Sequence, residues 1–285
     1  MEVFNVSNWE VVNLDASGSR EKKWLENPND KQKYLFKEPK SFGEIYAEYV
    51  AYLIGVNNFN LTIPEVSIAK YNDIYGVIVK DFVNNKSHTF SEISDYLQWR
   101  NPNFDPMNIW DYKLECCIEV MENFNLLEVF FEMCIFDTII ANQDRHCENW
   151  GTLESIDYPI CLAPLYDNGS SLGCLLTETE VKEYLNEETK FKKFTNRAKT
   201  PFTFSGSKKI RIKLLVQTLV GKNRIVFEKV FKKFSSISYD EIYETIESVN
   251  NEFLSEDRKM FVAKLVNYRM GCIAEWLEEG NEDNE

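Results

Sequence analysis

From Tyr112 to Ala141 the chain carries apolar side chains on nearly every face that an α-helix would present. Cys116, Val120, Phe124, Leu127, Phe131, Cys134 and Ile135 recur at spacings of three and four and make one stripe. Met121, Val129, Phe130, Met133, Phe136, Ile139 and Ile140 cover the other faces of the later turns. A helix that is apolar all round must be enclosed by other elements, so this stretch predicts the central helix of a sizeable lobe.

The surroundings agree with a mainly helical lobe. Phe90–Trp99 reads as a helix before the central one. Trp150–Leu153 and Ile160–Leu162 read as short strands after it. Helical patterning then returns over Lys182–Arg197, Ile210–Val220, Val226–Phe234 and Glu252–Leu277. The first part of the chain has a different rhythm: short β-type runs at Val3–Val6, Trp9–Leu14, Lys33–Lys37, Val66–Lys70 and Ile74–Val79, with one helix from about Phe42 to Ile54. Pro64 and Asn72-Asp73 punctuate the later strands, and Asn84-Asn85-Lys86-Ser87 is a polar connector that places a hinge near residues 80–88. The expected fold is α+β, with a small β-rich N-lobe over 1–83 and a larger helical C-lobe over 84–285.

Composition removes several function classes. With 285 residues, 44% hydrophobic and 27% charged, the chain is an ordinary globular one that can bury a core. Its net charge of −14 would repel a phosphate backbone, so nucleic acid is not an expected direct partner. The start lacks a basic segment followed by an apolar one, and no window approaches the ~20 apolar residues of a membrane span. The cytoplasm is the expected compartment and a membrane is not an expected partner. Seven cysteines at irregular spacing suggest reduced thiols rather than a disulfide framework or a zinc site. Only His88 and His146 are present, which removes multi-histidine metal sites, so any catalysis rests mainly on carboxylates. The acidic run from Glu278 to Glu285 reads as a solvated tail.

The segment richest in chemistry is Asn142-Gln143-Asp144-Arg145-His146-Cys147-Glu148-Asn149, a polar loop directly after the central helix. Aspartate and asparagine in D-x-x-x-x-N spacing match the catalytic loop of protein kinases, where the aspartate orients and deprotonates a hydroxyl and the asparagine oxygen helps to hold Mg²⁺. Asp144 and Asn149 are the candidates. A further hard oxygen ligand is needed, and Asp167 offers one in Leu165-Tyr166-Asp167-Asn168-Gly169, just after a strand. Lys37 ends the Tyr34–Lys37 strand and is the candidate phosphate lysine, with Glu44 and Glu48 both available to hold it. Ala16-Ser17-Gly18-Ser19-Arg20-Glu21-Lys22 lies between two β-type regions and offers backbone N–H groups, with Lys22, for phosphate. No GxxxxGK[ST] occurs, which disfavours a P-loop NTPase.

Asn142-Gln143-Asp144-Arg145-His146 with Asn149, followed by Pro164-Leu165-Tyr166-Asp167-Asn168-Gly169-Ser170-Ser171-Leu172, resembles the HipA-like serine/threonine kinase family. Ser17 through Lys22 is similar to that family's phosphate loop, Lys37-Glu38-Pro39 to its strand lysine, and Glu44 through Gly55 to its glutamate-bearing helix. Val79-Lys80-Asp81-Phe82 is similar to the segment between the lobes that meets adenine. The resemblance covers residues 13–175 and extends to the later helices only as a pattern. It implies a bilobal kinase-like fold, ATP and Mg²⁺ as cofactors, and transfer to a serine or threonine hydroxyl of a protein substrate. By the same resemblance Gly18, Ser19, Arg20, Lys22, Lys37, Glu44, Lys80, Phe82 and His146 would contact the nucleotide or support that contact. Asn149 and Asp167 would hold metal, and Asp144 would be catalytic. His146 could equally brace its own loop. Some members pair with a DNA-binding antitoxin, which makes an antitoxin-like partner part of the resemblance; the chain starts too near the phosphate loop to hold the family's extra N-terminal subdomain. Some are regulated by a phosphate-loop serine, for which Ser17 and Ser19 are available. Asp-Arg-His-x-x-Asn is similar also to the loop of phosphoinositide kinases, and a nucleotide-binding module without turnover is the remaining alternative.

Overall fold

A computed structural model describes residues 2–12, 22–83, 88–108, 110–204 and 209–282, with the backbone alone for 280–282. The N-terminal part consists of β1 (Phe4–Asn5), β2 (Glu10–Val12), β3 (Lys22–Glu26), β4 (Lys33–Lys37), α1 (Phe42–Asn57), β5 (Val66–Tyr71) and β6 (Ile74–Lys80). The six strands form one sheet in the order β1-β5-β6-β4-β3-β2, antiparallel except for the β1–β5 pair. Helix α1 crosses from β4 to β5. Ile45 packs with Val66, Ile68, Val77 and Val79 beneath the sheet, while Tyr46, Ala47, Val50, Ala51 and Ile54 belong to the large helical core. Thus α1 is apolar on two faces because it is shared between two cores, and this fixes it against both lobes. Val6, Leu25, Phe36, Ala69 and Ile78 fill the other face of the sheet.

A three-stranded sheet follows, built from β7 (His88–Glu92), β8 (Gly151–Ser155) and β9 (Cys161–Leu162). The expected helix at Phe90–Trp99 is half strand: β7 takes its first residues, and α2 (Ile93–Arg100) begins only after Glu92, whose side chain forms a capping box with Asp95. The single helix expected from Tyr112 to Ala141 is two, α3 (Leu114–Asn123) and α4 (Leu127–Ile140). Between them Asn125 adopts a left-handed backbone (φ 58°), which interrupts the helix while its neighbours stay in the core. Helices α5 (Glu178–Asn186) and α6 (Glu188–Thr195) likewise replace one expected helix. They are followed by α7 (Ile212–Lys222), α8 (Arg224–Phe231), α9 (Tyr239–Glu247) and α10 (Glu256–Glu282).

The architecture is α+β and bilobal, with α4 in the middle of the helical lobe as its composition requires: every residue from Met133 to Ile140 is buried. The last turn of α4 closes at Ala141 in the left-handed conformation (φ 57°), which turns the chain abruptly into the Asn142–Asn149 loop. Leu172 N–H donates to Ile140 C=O, so the segment after Asp167 returns to the same helix end. The end of α4 therefore positions both site-like loops. Among the described residues no helix is long and apolar enough to cross a membrane.

Candidate active site

Arg145 is the residue around which the two loops are organised. It is 1% exposed and spans Asp137 on α4 in a bidentate pair, Nε to Oδ2 at 2.9 Å and Nη2 to Oδ1 at 2.9 Å. Nη1 donates to the carbonyls of Asn149 at 2.8 Å and Tyr166 at 2.5 Å, and Nη2 also donates to Asn168 Oδ1 at 2.6 Å. One guanidinium thus ties the residue expected to hold metal, Asn149, to the residues on either side of Asp167. Burial works against its charge, but Asp137 outweighs that and holds the guanidinium above its usual range. The sequence reading gave Arg145 no role. Its partners lie at four separate points of the chain, and the only sequence signal was a cation inside a loop of carboxylates and amides.

The loop itself is rigidly braced. Asp144 N–H donates to Asn142 Oδ1 at 3.0 Å, and Asn149 Nδ2 donates to Asp144 C=O at 2.7 Å. This spends the Asn149 amide nitrogen on the loop and leaves its oxygen outside that bond. The Asp144 carboxylate has no hydrogen bond or ion pair among the described residues, which suits a group that must receive a proton from something else. His146 Nδ1 accepts from Glu148 N–H at 3.3 Å, so the structure assigns His146 the bracing bond. Tyr112 donates to Arg145 C=O at 3.0 Å and accepts from Trp150 Nε1 at 2.7 Å, anchoring the loop to the core.

Opposite stands Lys37, 5% exposed, whose Nζ lies 3.1 Å from Asp167 Oδ1 and 3.6 Å from Glu48 Oε1. The same Glu48 oxygen accepts Asn168 N–H at 3.1 Å. Of the two glutamates considered, Glu48 is therefore the one paired with Lys37. Glu44 lines the same cleft, and its Oε2 accepts Lys40 N–H at 3.1 Å. Gly169 lies close to Glu48: a Cβ there would meet Glu48 Oε2 at 3.1 Å, so the carboxylate would have to give by a few tenths of an ångström. Asp167 has φ 60°, a left-handed backbone that turns its carboxylate toward the sheet lysine.

Strand register places two of the lysines. Lys22 opens β3 rather than sitting in a loop, and it is paired in register directly across from Lys37. Directly paired residues share a sheet face, so the Lys22 and Lys37 side chains leave the sheet on the same side. Lys80 pairs in register with Tyr34, an odd number of residues from Lys37 along β4, which puts it on the opposite face. Its Nζ is 3.0 Å from Glu65, so the structure does not bring the Lys80 ammonium to this cluster. Phe82 lies against the residue before Asp167: its ring stacks on Tyr166 (centroids 5.7 Å, 27°), with Phe90 edge-on to both. Tyr166 OH donates to Glu148 C=O at 2.9 Å, and burial raises its pKa well above normal, so the phenol remains a donor. Gly18, Ser19 and Arg20, with Ser17, lie outside the described residues.

For a metal ion, the donors offered are the Asp167 carboxylate and the Asn149 amide oxygen. Two hard oxygens from the protein fit Mg²⁺, which is commonly completed by phosphate oxygens and water. Among the described residues no group of three or more His, Cys, Asp or Glu side chains forms a metal cage.

The model of the HipA-like C-terminal domain matches residues 14–224. The chain belongs to the HipA-like C-terminal domain family. Within the reach of this HipA-like chain is the serine/threonine-protein kinase CtkA of Helicobacter pylori strain J99, 27% identical over 240 residues, covering 80% of this chain and 70% of that protein. The crystal structure of a Helicobacter pylori proinflammatory kinase CtkA superposes with a TM-score of 0.81 at 20% identity, over 99% of both chains. A HipA chain from the Shewanella oneidensis MR-1 toxin–antitoxin complex of HipA, HipB and operator DNA gives 0.61 at 11% identity, over 93% of this chain and 66% of that one. The structural likenesses establish the kinase-like fold, and the family and the CtkA kinship support a kinase-type function.

Proposed function

We propose that this HipA-like chain is an ATP-dependent serine/threonine protein kinase, with residues 1–83 as the nucleotide-covering lobe and 84–285 as the catalytic lobe, acting in the cytoplasm. The observation that carries the reading is the single Arg145 side chain binding both Asn149 C=O and Tyr166 C=O, with Lys37 bonded to Asp167 on the other side. Mg·ATP, when bound, supplies the phosphoryl group and the divalent charge that offsets its oxygens. Asn149 and Asp167 would hold the metal. Lys37, steadied by Glu48 and reinforced by Lys22, would attract the phosphates, and the Phe82–Tyr166 stack offers an aromatic wall for the base. Asp144 would orient a serine or threonine hydroxyl of a protein and take its proton. An antitoxin-like partner rests on the HipA kinship alone.

Intact-mass measurement after incubation with Mg·ATP tests this reading. Wild type is expected to gain phosphate, with Ser17 and Ser19 the first positions to map, or to phosphorylate an added protein. Asp144→Asn should keep its circular-dichroism spectrum and lose transfer by about 10²–10³-fold, the scale of one preorganised group. Undiminished transfer by that variant would remove Asp144 from the site. ATP binding without any transfer would favour the non-catalytic module, and transfer to phosphoinositide vesicles alone would favour the lipid kinase.

A further inference from the structure

A second cleft, of about 520 Å³, opens against α1, within the size range of roughly 300–1,000 Å³ typical of small-molecule sites. Its α1 residues are Phe42, Gly43 and Tyr46, whereas Glu44, Ile45 and Glu48 face the Lys37 cleft. At 3.6 residues per turn these two sets lie on nearly opposite sides of the helix. The remaining walls come from Cys174–Leu176, the start of α5, and the Asn251–Arg258 segment leading into α10.

The lining has a defined chemistry. Phe42 and Phe253 lie nearly parallel, with centroids 5.7 Å apart at 9°, and the Phe42 ring is 51% exposed at the mouth. Arg258 is engaged in the wall: it bonds Glu178, Leu176 C=O and, through Nη1 at 2.8 Å, Tyr46 OH. Arg258 offsets Glu178, so the surplus negative charge of the lining is that of the exposed Glu252, which also faces Lys70 outside the lining. Ser41, at the N-cap position of α1, makes no side-chain capping bond, and its Oγ is shielded from solvent without a hydrogen-bond partner among the described residues. A shielded hydroxyl left unpaired is costly, and a ligand group that bonds to it would recover that cost.

We infer that this cleft is a ligand site separate from the Lys37 cleft, and that it takes a planar aromatic compound carrying a protonated amine. The aromatic walls suit a flat ring, the acidic lining suits the ammonium, and the Ser41 hydroxyl suits a ring N–H. The cleft also adjoins the candidate site. A Cβ on Gly43 would fall 1.8 Å from Cys174 C=O, so α1 and the segment after Asp167 touch without clearance, and Glu48 rides on the same helix. Binding is independent of phosphoryl transfer; any effect of binding on transfer rests on the function proposed above.

Tryptamine is the probe, with indole-3-acetate as its charge-reversed control, and the full chain is used without nucleotide. Calorimetry reads binding, and peptide-resolved mass spectrometry reads iodoacetamide alkylation of Cys174, which lines the cleft. Tryptamine at about ten times its Kd should slow Cys174 alkylation about tenfold by mass action. Exposed Cys161, remote from the lining, should react unchanged. Ser41→Ala and Glu252→Gln should each weaken binding about fivefold, the scale of one hydrogen bond or one partly screened charge. No heat and no protection with tryptamine would overturn the site, as would equal binding of indole-3-acetate or indifference to both substitutions. Because nothing in these measurements requires ATP, their failure leaves the kinase reading intact, and an inactive kinase leaves them intact.

Discussion

Arg145 and Lys37 are both cations buried against carboxylates beside the Tyr166–Asn168 segment, but their surroundings differ. Arg145 binds Asp137 through two parallel hydrogen bonds and donates to three further acceptors, all within the helical lobe. Lys37 belongs to the sheet and reaches across to Asp167 in the other lobe at 3.1 Å, with Glu48 more loosely placed at 3.6 Å. A planar fork with every acceptor fixed makes a permanent joint, while a point charge between two carboxylates can exchange partners at small cost in geometry. Under the function proposed above, the first cluster would hold the loop geometry fixed, and the second would receive an incoming anion and release Asp167 to a metal.

The sharpest way to break this contrast is Arg145→Met, which leaves Asp137 buried without its counter-charge. Chemical denaturation should show a loss of about 3–5 kcal/mol, and the double variant Asp137→Leu/Arg145→Met should recover much of it. If Arg145→Met unfolds no more readily than wild type, the joint is not structural. Lys37→Met should do the reverse. Its phosphate incorporation is expected to fall by about 10²–10³-fold, equivalent to ~2.7–4 kcal/mol of barrier, with a smaller shift in denaturation midpoint than Arg145→Met. Equal stability losses in the two variants would erase the distinction. The smallest effect is expected from Phe82→Ala: removing one stacked ring should raise the KM for ATP with little change in kcat, corresponding to about 0.5–1.5 kcal/mol. A fall in kcat alone would place Phe82 outside the base wall.

What the sequence made legible follows the range of the interactions concerned. Asp144, Asn149 and Asp167 stood out because their spacing is local to two loops, each set by an element that ends just before it. The choice between Glu44 and Glu48 did not, because both sit one turn apart on α1 and only the tertiary position of Asn168 N–H and Lys37 decides between them. The break between α3 and α4 was hidden for a related reason: Val120, Phe124 and Leu127 keep helical spacing through it because all three pack on the same core. Strand β7 has no alternating apolar pattern, since it gains its order by pairing with β8. Helix α9 was missed although Ser238 and Glu241 form a capping box, a local signal that was available. Lys80 was nominated as part of the segment between the lobes, and only strand register shows that its side chain leaves the sheet on the face opposite Lys37.

The fan of bonds from Arg145 also bears on how such a chain could be recombined. Residues 137–149 and 165–168 are separated by a β-hairpin, yet one side chain reads both. Exchanging either loop alone with that of a relative would bring in a carbonyl or carboxamide at the wrong height for a guanidinium already committed to Asp137. The two loops flanking the β8–β9 hairpin would therefore have to be exchanged together, as one unit held by Arg145.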